Sequence, residues 1–263
     1  MARGTCHFLL LATLVIATAG RPSAASATSF ARVDQEVIGS LPQWHGAKAY
    51  IVEQLDLTHP FTTRTRWTLV VAKFKGPPPA ALDESEDGGP LVVCFAREIT
   101  PTCSYRIPLT GSSASWFDSP YHFLSGRVVF ADARHTQPLL LLKTATAHSL
   151  NGSHGIETQL FTYDRQTDRF ESVFYNRTGS NNNQETRFMG EGLLRGDIIV
   201  AEPTRGAPYA YWISVYTRDS EGRYSHRSLR YRSATRYGDG NRQPVIDSEM
   251  PNILSHLRHA KML

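Results

Sequence analysis

Along most of this chain the apolar residues fall in short β-branched and aromatic runs punctuated by Gly, Pro, Asn and Asp, a β rather than a helical texture. Arg66-Trp67-Thr68-Leu69-Val70-Val71-Ala72-Lys73-Phe74 reads as a strand, and Leu91 to Ala96, Cys103 to Ile107 and Arg127 to Phe130 continue the pattern. Pro138-Leu139-Leu140-Leu141-Leu142-Lys143 carries four leucines in succession, as a strand covered on both faces does. Two long hairpins follow. Thr158 to Tyr163 turns through Asp164 to Asp168 into Phe170 to Tyr175, and Tyr211 to Tyr216 turns through Arg218 to Gly222 into Tyr224 and beyond. Each has a short apolar strand before it, Leu139 to Leu142 in one case and Ile198 to Val200 in the other.

That order recurs after about fifty to sixty residues, and Trp67 to Ile107 reads as a more degenerate third copy. Repeats of this length mark propeller blades, although three units fall short of the roughly 4–8 of a closed propeller. The expected fold is all-β, mainly antiparallel hairpins, built as a propeller-like sheet array or an irregular sandwich. Short helices flank it. Phe30, Val33 and Val37 recur at helical spacing before Gly39 and Pro42. At the other end Ser248 is placed to cap a helix with Pro251 in its first turn and Ile253, Leu254 and Leu257 as its apolar stripe. Gly76 to Pro79, the acidic run Asp83 to Asp87 and the polar stretch Gly179 to Glu185 read as exposed loops.

The N-terminus changes the compartment. Arg3 precedes the apolar segment Phe8 to Ala17, which Gly20-Arg21-Pro22 ends at about half the length of a membrane span. Ala25-Ser26-Ala27 matches the small-residue pattern of a signal-peptidase site, and Ala17-Thr18-Ala19 is a second match. The expected division is therefore residues 1–27 as a signal peptide and 28–263 as one β-rich domain, secreted or periplasmic. No later segment is long and apolar enough to span a membrane.

Export bears on charge and cysteine. The formal net charge of +4 falls to +2 without Arg3 and Arg21, so global charge is a weak argument for a nucleic-acid partner, and none is expected. Of three cysteines Cys6 leaves with the leader, and Cys94 and Cys103 are expected to form a disulfide.

Motifs that carry chemistry are sparse. Gly111-Ser112-Ser113-Ala114-Ser115 lacks the second glycine of a nucleophile elbow, and there is no phosphate-binding loop, dinucleotide fingerprint or H-E-x-x-H. His148 with His154, and His256 with His259, supply too few ligands for a zinc site, so no metal or other cofactor is expected. Asp239-Gly240-Asn241 begins like a calcium loop, but Pro244 and Met250 break the pattern. Asn151 and Asn176 stand in glycosylation sequons, and Trp116, Phe117, Tyr121 and Phe123 cluster around Pro120.

The strongest candidate is basic. If Ser225 to Tyr237 is a strand, alternation sets His226, Arg230, Arg232 and Arg236 on one face, with Leu229, Tyr231 and Tyr237 on the other. A row of guanidinium forks suits carboxylate or phosphate. The expected function is a non-enzymatic binding or envelope-associated module whose partner is an anionic envelope polymer or another protein. The alternative is a secreted polysaccharide hydrolase using acids such as Glu157, Glu191 or Glu202. The cysteine reading has a direct check: alkylation of the exported, unreduced chain should label neither Cys94 nor Cys103, and two free thiols would refute it.

Overall fold

In the computed structural model, which describes residues 37–39, 48–75, 89–98, 103–106, 120–147, 154–180, 183–206, 208–224, 227–236 and 244–262, the apolar runs become strands of three sheets. The first sheet is β1 (Ala49–Asp56), β2 (Trp67–Phe74), β3 (Leu91–Arg97) and β4 (Cys103–Arg106), with a short helix α1 (Thr58–Phe61) between β1 and β2. The second is β5 (Pro120–Phe130), β6 (Pro138–Thr146), β7 (Gly155–Asp164) and β8 (Arg169–Gly179). The third is β9 (Glu185–Phe188), β10 (Ile198–Pro203), β11 (Tyr211–Tyr216) and β12 (Arg227–Arg232), and helix α2 (Val245–His259) follows it. Every sheet is an antiparallel meander whose strands lie in chain order.

The repeat seen in the sequence is strands two to four of each sheet. Its apolar strand is always the second, with Leu69 to Ala72 in β2, Leu139 to Leu142 in β6 and Ile198 to Ala201 in β10 all buried. Sequence reading misses the first strands β1 and β9 outright. Strand β1 mixes Glu53, Gln54 and Asp56 among its apolar residues, and β9 is four residues long and begins at Glu185, where a polar loop was expected. Strand β5 starts at Pro120 rather than Arg127, which makes Tyr121 and Phe123 strand residues, Tyr121 wholly buried and Phe123 packed on the core.

Alternation sorts the buried residues into layers, reset in β8 by a register shift that turns Phe170 and Phe174 to opposite faces. Leu140, Leu142, Phe161 and Phe170 of the second sheet pack on Leu69, Val71 and Phe95 of the first. Leu139, Leu141, Leu160 and Phe174 pack on Phe188, Ile198 and Val200 of the third. The middle sheet is thus covered on both sides. On the outer face of the first sheet, Val37, in the helical turn 37–39, covers Val70, Ala72 and Phe74. Helix α2 covers the outer face of the third, setting Val245, Ile246, Ile253 and Leu257 on Ile199, Ala201, Ile213 and Val215.

Helix α2 starts earlier than expected. Pro244 occupies its N-cap position and Ser248 Oγ donates back to the Pro244 carbonyl at 3.0 Å, so Ser248 is inside the helix rather than capping it. Pro251 then falls beyond the first turn, and the helix extends upstream because Val245 and Ile246 gain burial on the third sheet. The expected leader, residues 30–36 of the expected N-terminal helix, the acidic run 83–87 and Trp116 and Phe117 lie outside the described residues.

One polar group holds the first two sheets in register. Asp168, in the β7–β8 turn at a left-handed φ of 52°, accepts hydrogen bonds from Trp67 Nε1 at 3.0 Å, Tyr163 Oη at 2.7 Å and Thr65 Oγ1 at 3.0 Å. Arg97 pairs with its carboxylate at 3.2 Å while lying over the Trp67 ring at 4.8 Å. Burial pushes the Asp168 carboxyl up, but the bonds from Trp67, Tyr163 and Thr65 and the charge of Arg97 outweigh it and hold the acid below its ordinary range. A depressed carboxyl stabilises the fold above its unfolded-state pKa, and that contribution fades as acid protonates it. Asp168→Asn should therefore cost about 1.5–3 kcal/mol in urea unfolding at pH 7. The gap to wild type should narrow below about pH 4; an equal gap at both pH values would contradict the assignment.

Candidate functional site

The β11–β12 hairpin carries the arginine cluster, and its pairing decides which residues share a face. Trp212 lies opposite Arg232 and Ser214 opposite Arg230, but the register then shifts, so that Tyr216 lies opposite Arg227. This irregularity adds a residue to β12 and brings Arg227 opposite Tyr216, where an unbroken register would set Ser228. Arg227, Arg230 and Arg232 thus share one face with Trp212, Ser214 and Tyr216. His226 and Tyr237 lie outside the described residues. Arg236 is exposed but follows the strand, which ends at Arg232, so the row of four becomes a row of three.

Two of the three arginines lie over aromatic rings. The Arg230 guanidinium is 4.7 Å from the centroid of Trp212, which is itself exposed, and that of Arg227 is 5.8 Å from Tyr216. Attraction between cation and ring quadrupole steadies the guanidinium without neutralising it. Among the described residues no carboxylate pairs with Arg227, Arg230, Arg232 or Arg236. Sequence reasoning missed Arg227, Trp212 and Tyr216 as members of this site. The aromatic–polar alternation of β11 was the available signal, whereas an irregular register has no mark in the sequence.

The opposite face of β12 turns to a core, as expected, the one that α2 closes over the outer face of the third sheet. Leu229 and Tyr231 pack toward α2, where the Tyr231 hydroxyl donates to the buried Glu249 at 3.1 Å and its ring lies 4.1 Å from that of His256. His259 bonds instead to the Ser255 carbonyl at 2.7 Å, so the two histidines of α2 do different work. No group of three or more His, Cys, Asp or Glu side chains able to hold a metal occurs among the described residues. His148, the Ser112 segment, the Asn151 sequon and Asp239 to Asn241 lie outside them. Asp247 pairs with Arg187 instead of facing a calcium loop. Asn176 sits inside β8 and donates to Thr186 Oγ1 at 2.8 Å, committing that sequon's amide to packing between sheets.

The three acids named for a hydrolase are not brought together. Glu157 is buried in β7 beneath the Tyr175 hydroxyl, on the side of the middle sheet that faces the first. Glu202 is in β10 of the third sheet, and Glu191 is exposed in the β9–β10 connection. The chain matches no protein-family model, no curated protein and no solved structure, so the reading of function rests on the chemistry of these side chains.

A buried contact anchors the hairpin at its turn. Tyr224, which precedes β12, donates to the Gly196 carbonyl at 2.5 Å, and burial raises its phenol. Gly196 has a φ of 87°, and a Cβ there would stand 2.5 Å from the Ala131 carbonyl oxygen of the second sheet, so glycine is required. Beside it, burial raises the Asp197 carboxyl to about 6, only partly opposed by a hydrogen bond from Thr217. A raised acid favours the protonated fold, so its effect turns unfavourable as pH climbs from about 4 to about 6. Asp197→Asn should then stabilise the protein by roughly 1–2 kcal/mol at pH 7.5, after allowance for solvent screening, and by almost nothing at pH 4. Thermal melts at the two pH values check this; a gain at pH 4 matching that at pH 7.5 would contradict it.

Proposed function

We propose that the chain is an exported, non-enzymatic binding module that takes an anionic polymer on the Arg227–Arg230–Arg232 face of β12. The observation that carries the reading is the pair of guanidiniums lying over Trp212 and Tyr216, with which no carboxylate pairs among the described residues. Successive arginines on one face of an extended strand repeat about every 7 Å, a spacing that meets a chain of acidic groups better than one small anion. The stacked rings add a flat apolar surface next to each fork, which favours a partner with ring-shaped repeat units. Strand β12 is also the edge of its sheet, so the partner reaches this face without displacing another strand. The charges there discourage the edge from pairing with a second sheet.

Export belongs to the same proposal. It rests on the charged, apolar and small-residue order of the first 27 residues. The disulfide rests on the two cysteines of the mature chain and on strand pairing, which sets β4 against β3 with Cys103 opposite Ala96, two residues from Cys94. In an oxidising compartment a loop this short contributes about 2–3 kcal/mol.

The test uses heparin as a sulfated polysaccharide and polygalacturonate as a carboxylated one, with dextran as the neutral control. At least one of the two polyanions should bind, weaken steeply as salt rises, and lose roughly a hundredfold in affinity when Arg227, Arg230 and Arg232 all become alanine. Binding that ignores salt, or that survives the triple substitution, would refute the arginine face as the site.

A further inference from the structure

At the end of the array where the β1–β2, β5–β6, β7–β8 and β11–β12 connections converge, the turns of all three sheets enclose a cleft of about 450 Å³. Its walls combine three basic side chains, Arg165, Arg218 and His135, with the apolar surfaces of Phe61 and Pro138, and among the described residues no Asp or Glu lines it. This cleft is separate from the arginine face of β12.

Both arginines are held by neutral acceptors. Arg165 Nη2 donates to the Thr62 carbonyl at 3.0 Å and to the Thr62 hydroxyl. Arg218 donates through Nε to the Gly222 carbonyl at 2.9 Å and through Nη1 to Gln137 Oε1 at 2.7 Å. Those bonds fix the two guanidiniums, and no carboxylate pairs with either among the described residues. Nε and Nη1 of Arg165 and Nη2 of Arg218 have no further partner among the described residues. The carboxylates of the same turns are occupied locally. Asp132 accepts backbone N–H groups of Arg134, Thr136 and Gln137, and Asp164 accepts from Gln166 N and Thr167 Oγ1.

The frame is also set in advance. Thr62 and His135 hold left-handed backbone with φ of 46° and 56°, and the His135 ring stacks on Phe130 with centroids 4.5 Å apart and planes at 14°. Two fixed guanidiniums with spare donors make a receptor for a carboxylate or phosphate oxygen pair. The volume exceeds that of a bare ion and lies within the range of small-molecule sites.

We infer that this cleft binds a small organic anion, its carboxylate or phosphate head between Arg165 and Arg218 and its apolar body against Phe61 and Pro138. Calorimetric titration of the full chain with phenyl phosphate and with benzoate tests it, and the stronger of the two sets the head group. Benzamide tests the need for charge, and inorganic phosphate tests the need for a body. Gln137→Glu is the decisive variant, because glutamate still accepts the Arg218 bond while cancelling one positive charge of the cleft. It should weaken binding of the preferred anion about 10- to 100-fold with the melting temperature unchanged or raised. Arg165→Gln should weaken it similarly from the opposite wall, and the triple alanine variant of β12 should bind as wild type does. The proposal is overturned if neither anion binds saturably, if Gln137→Glu binds as tightly as wild type, or if benzamide or inorganic phosphate binds as well as the preferred anion. Loss of binding in the β12 variant alone would overturn it too, and would assign the anion to the arginine strand.

Discussion

Four successive leucines in β6 point alternately into two different cores, and the architecture follows from that. Leu140 and Leu142 enter the core shared with the first sheet, and Leu139 and Leu141 the core shared with the third. A strand has two faces, so a sheet with apolar residues on both must lie between two others. Each buried leucine contributes on the order of 1.5–3 kcal/mol relative to exposure, enough that neither face can be left to water. The outer sheets meet the same demand differently. Their far faces are covered by helical segments, Val37 on one side and α2 on the other, as terminal repeats of an open array require.

Polar groups then fix what apolar burial leaves loose. Hydrophobic contact sets which faces meet but is indifferent to sliding, whereas Asp168 bonds to Trp67 and Thr65 across the first interface at fixed distances. At the second interface Lys143, on the face of β6 that carries Leu139 and Leu141, donates to the Thr186 carbonyl at 3.1 Å, and burial holds its ammonium below the usual lysine range. Asn176 bonds to the Thr186 hydroxyl from the neighbouring β8. These contacts place the connections of all three sheets at one end, where the cleft forms. They also hold the third sheet so that the arginines lie on its edge strand, on the face that carries Ile198 and Val200 and turns toward the second sheet.

Legibility in the sequence followed burial. The second strands were plain because each is a continuous apolar run, and the hairpins were plain because aromatic strands flank a polar turn. Strands β1 and β9 were not, since each is short or carries acids and takes its place from pairing with β2 and β10. The start of α2 was displaced because Ser248 resembles a cap, while the burial that extends the helix to Val245 is a property of the third sheet. Arg230 and Arg232 were correctly grouped from alternation. Arg227 was missed because one register shift reverses the parity of everything beyond it. The cleft was illegible, its walls coming from four connections far apart in the chain.

Native-state hydrogen exchange resolved by residue tests the central claim most directly, namely that the middle sheet binds both neighbours into one cooperative stack. Amides of Leu139 to Leu142 should exchange only through global unfolding, and those of β2 and β10 should share the same opening free energy and denaturant dependence. Opening of the first or third sheet at much lower free energy, with β6 still protected, would contradict a shared core and leave three sheets that merely touch.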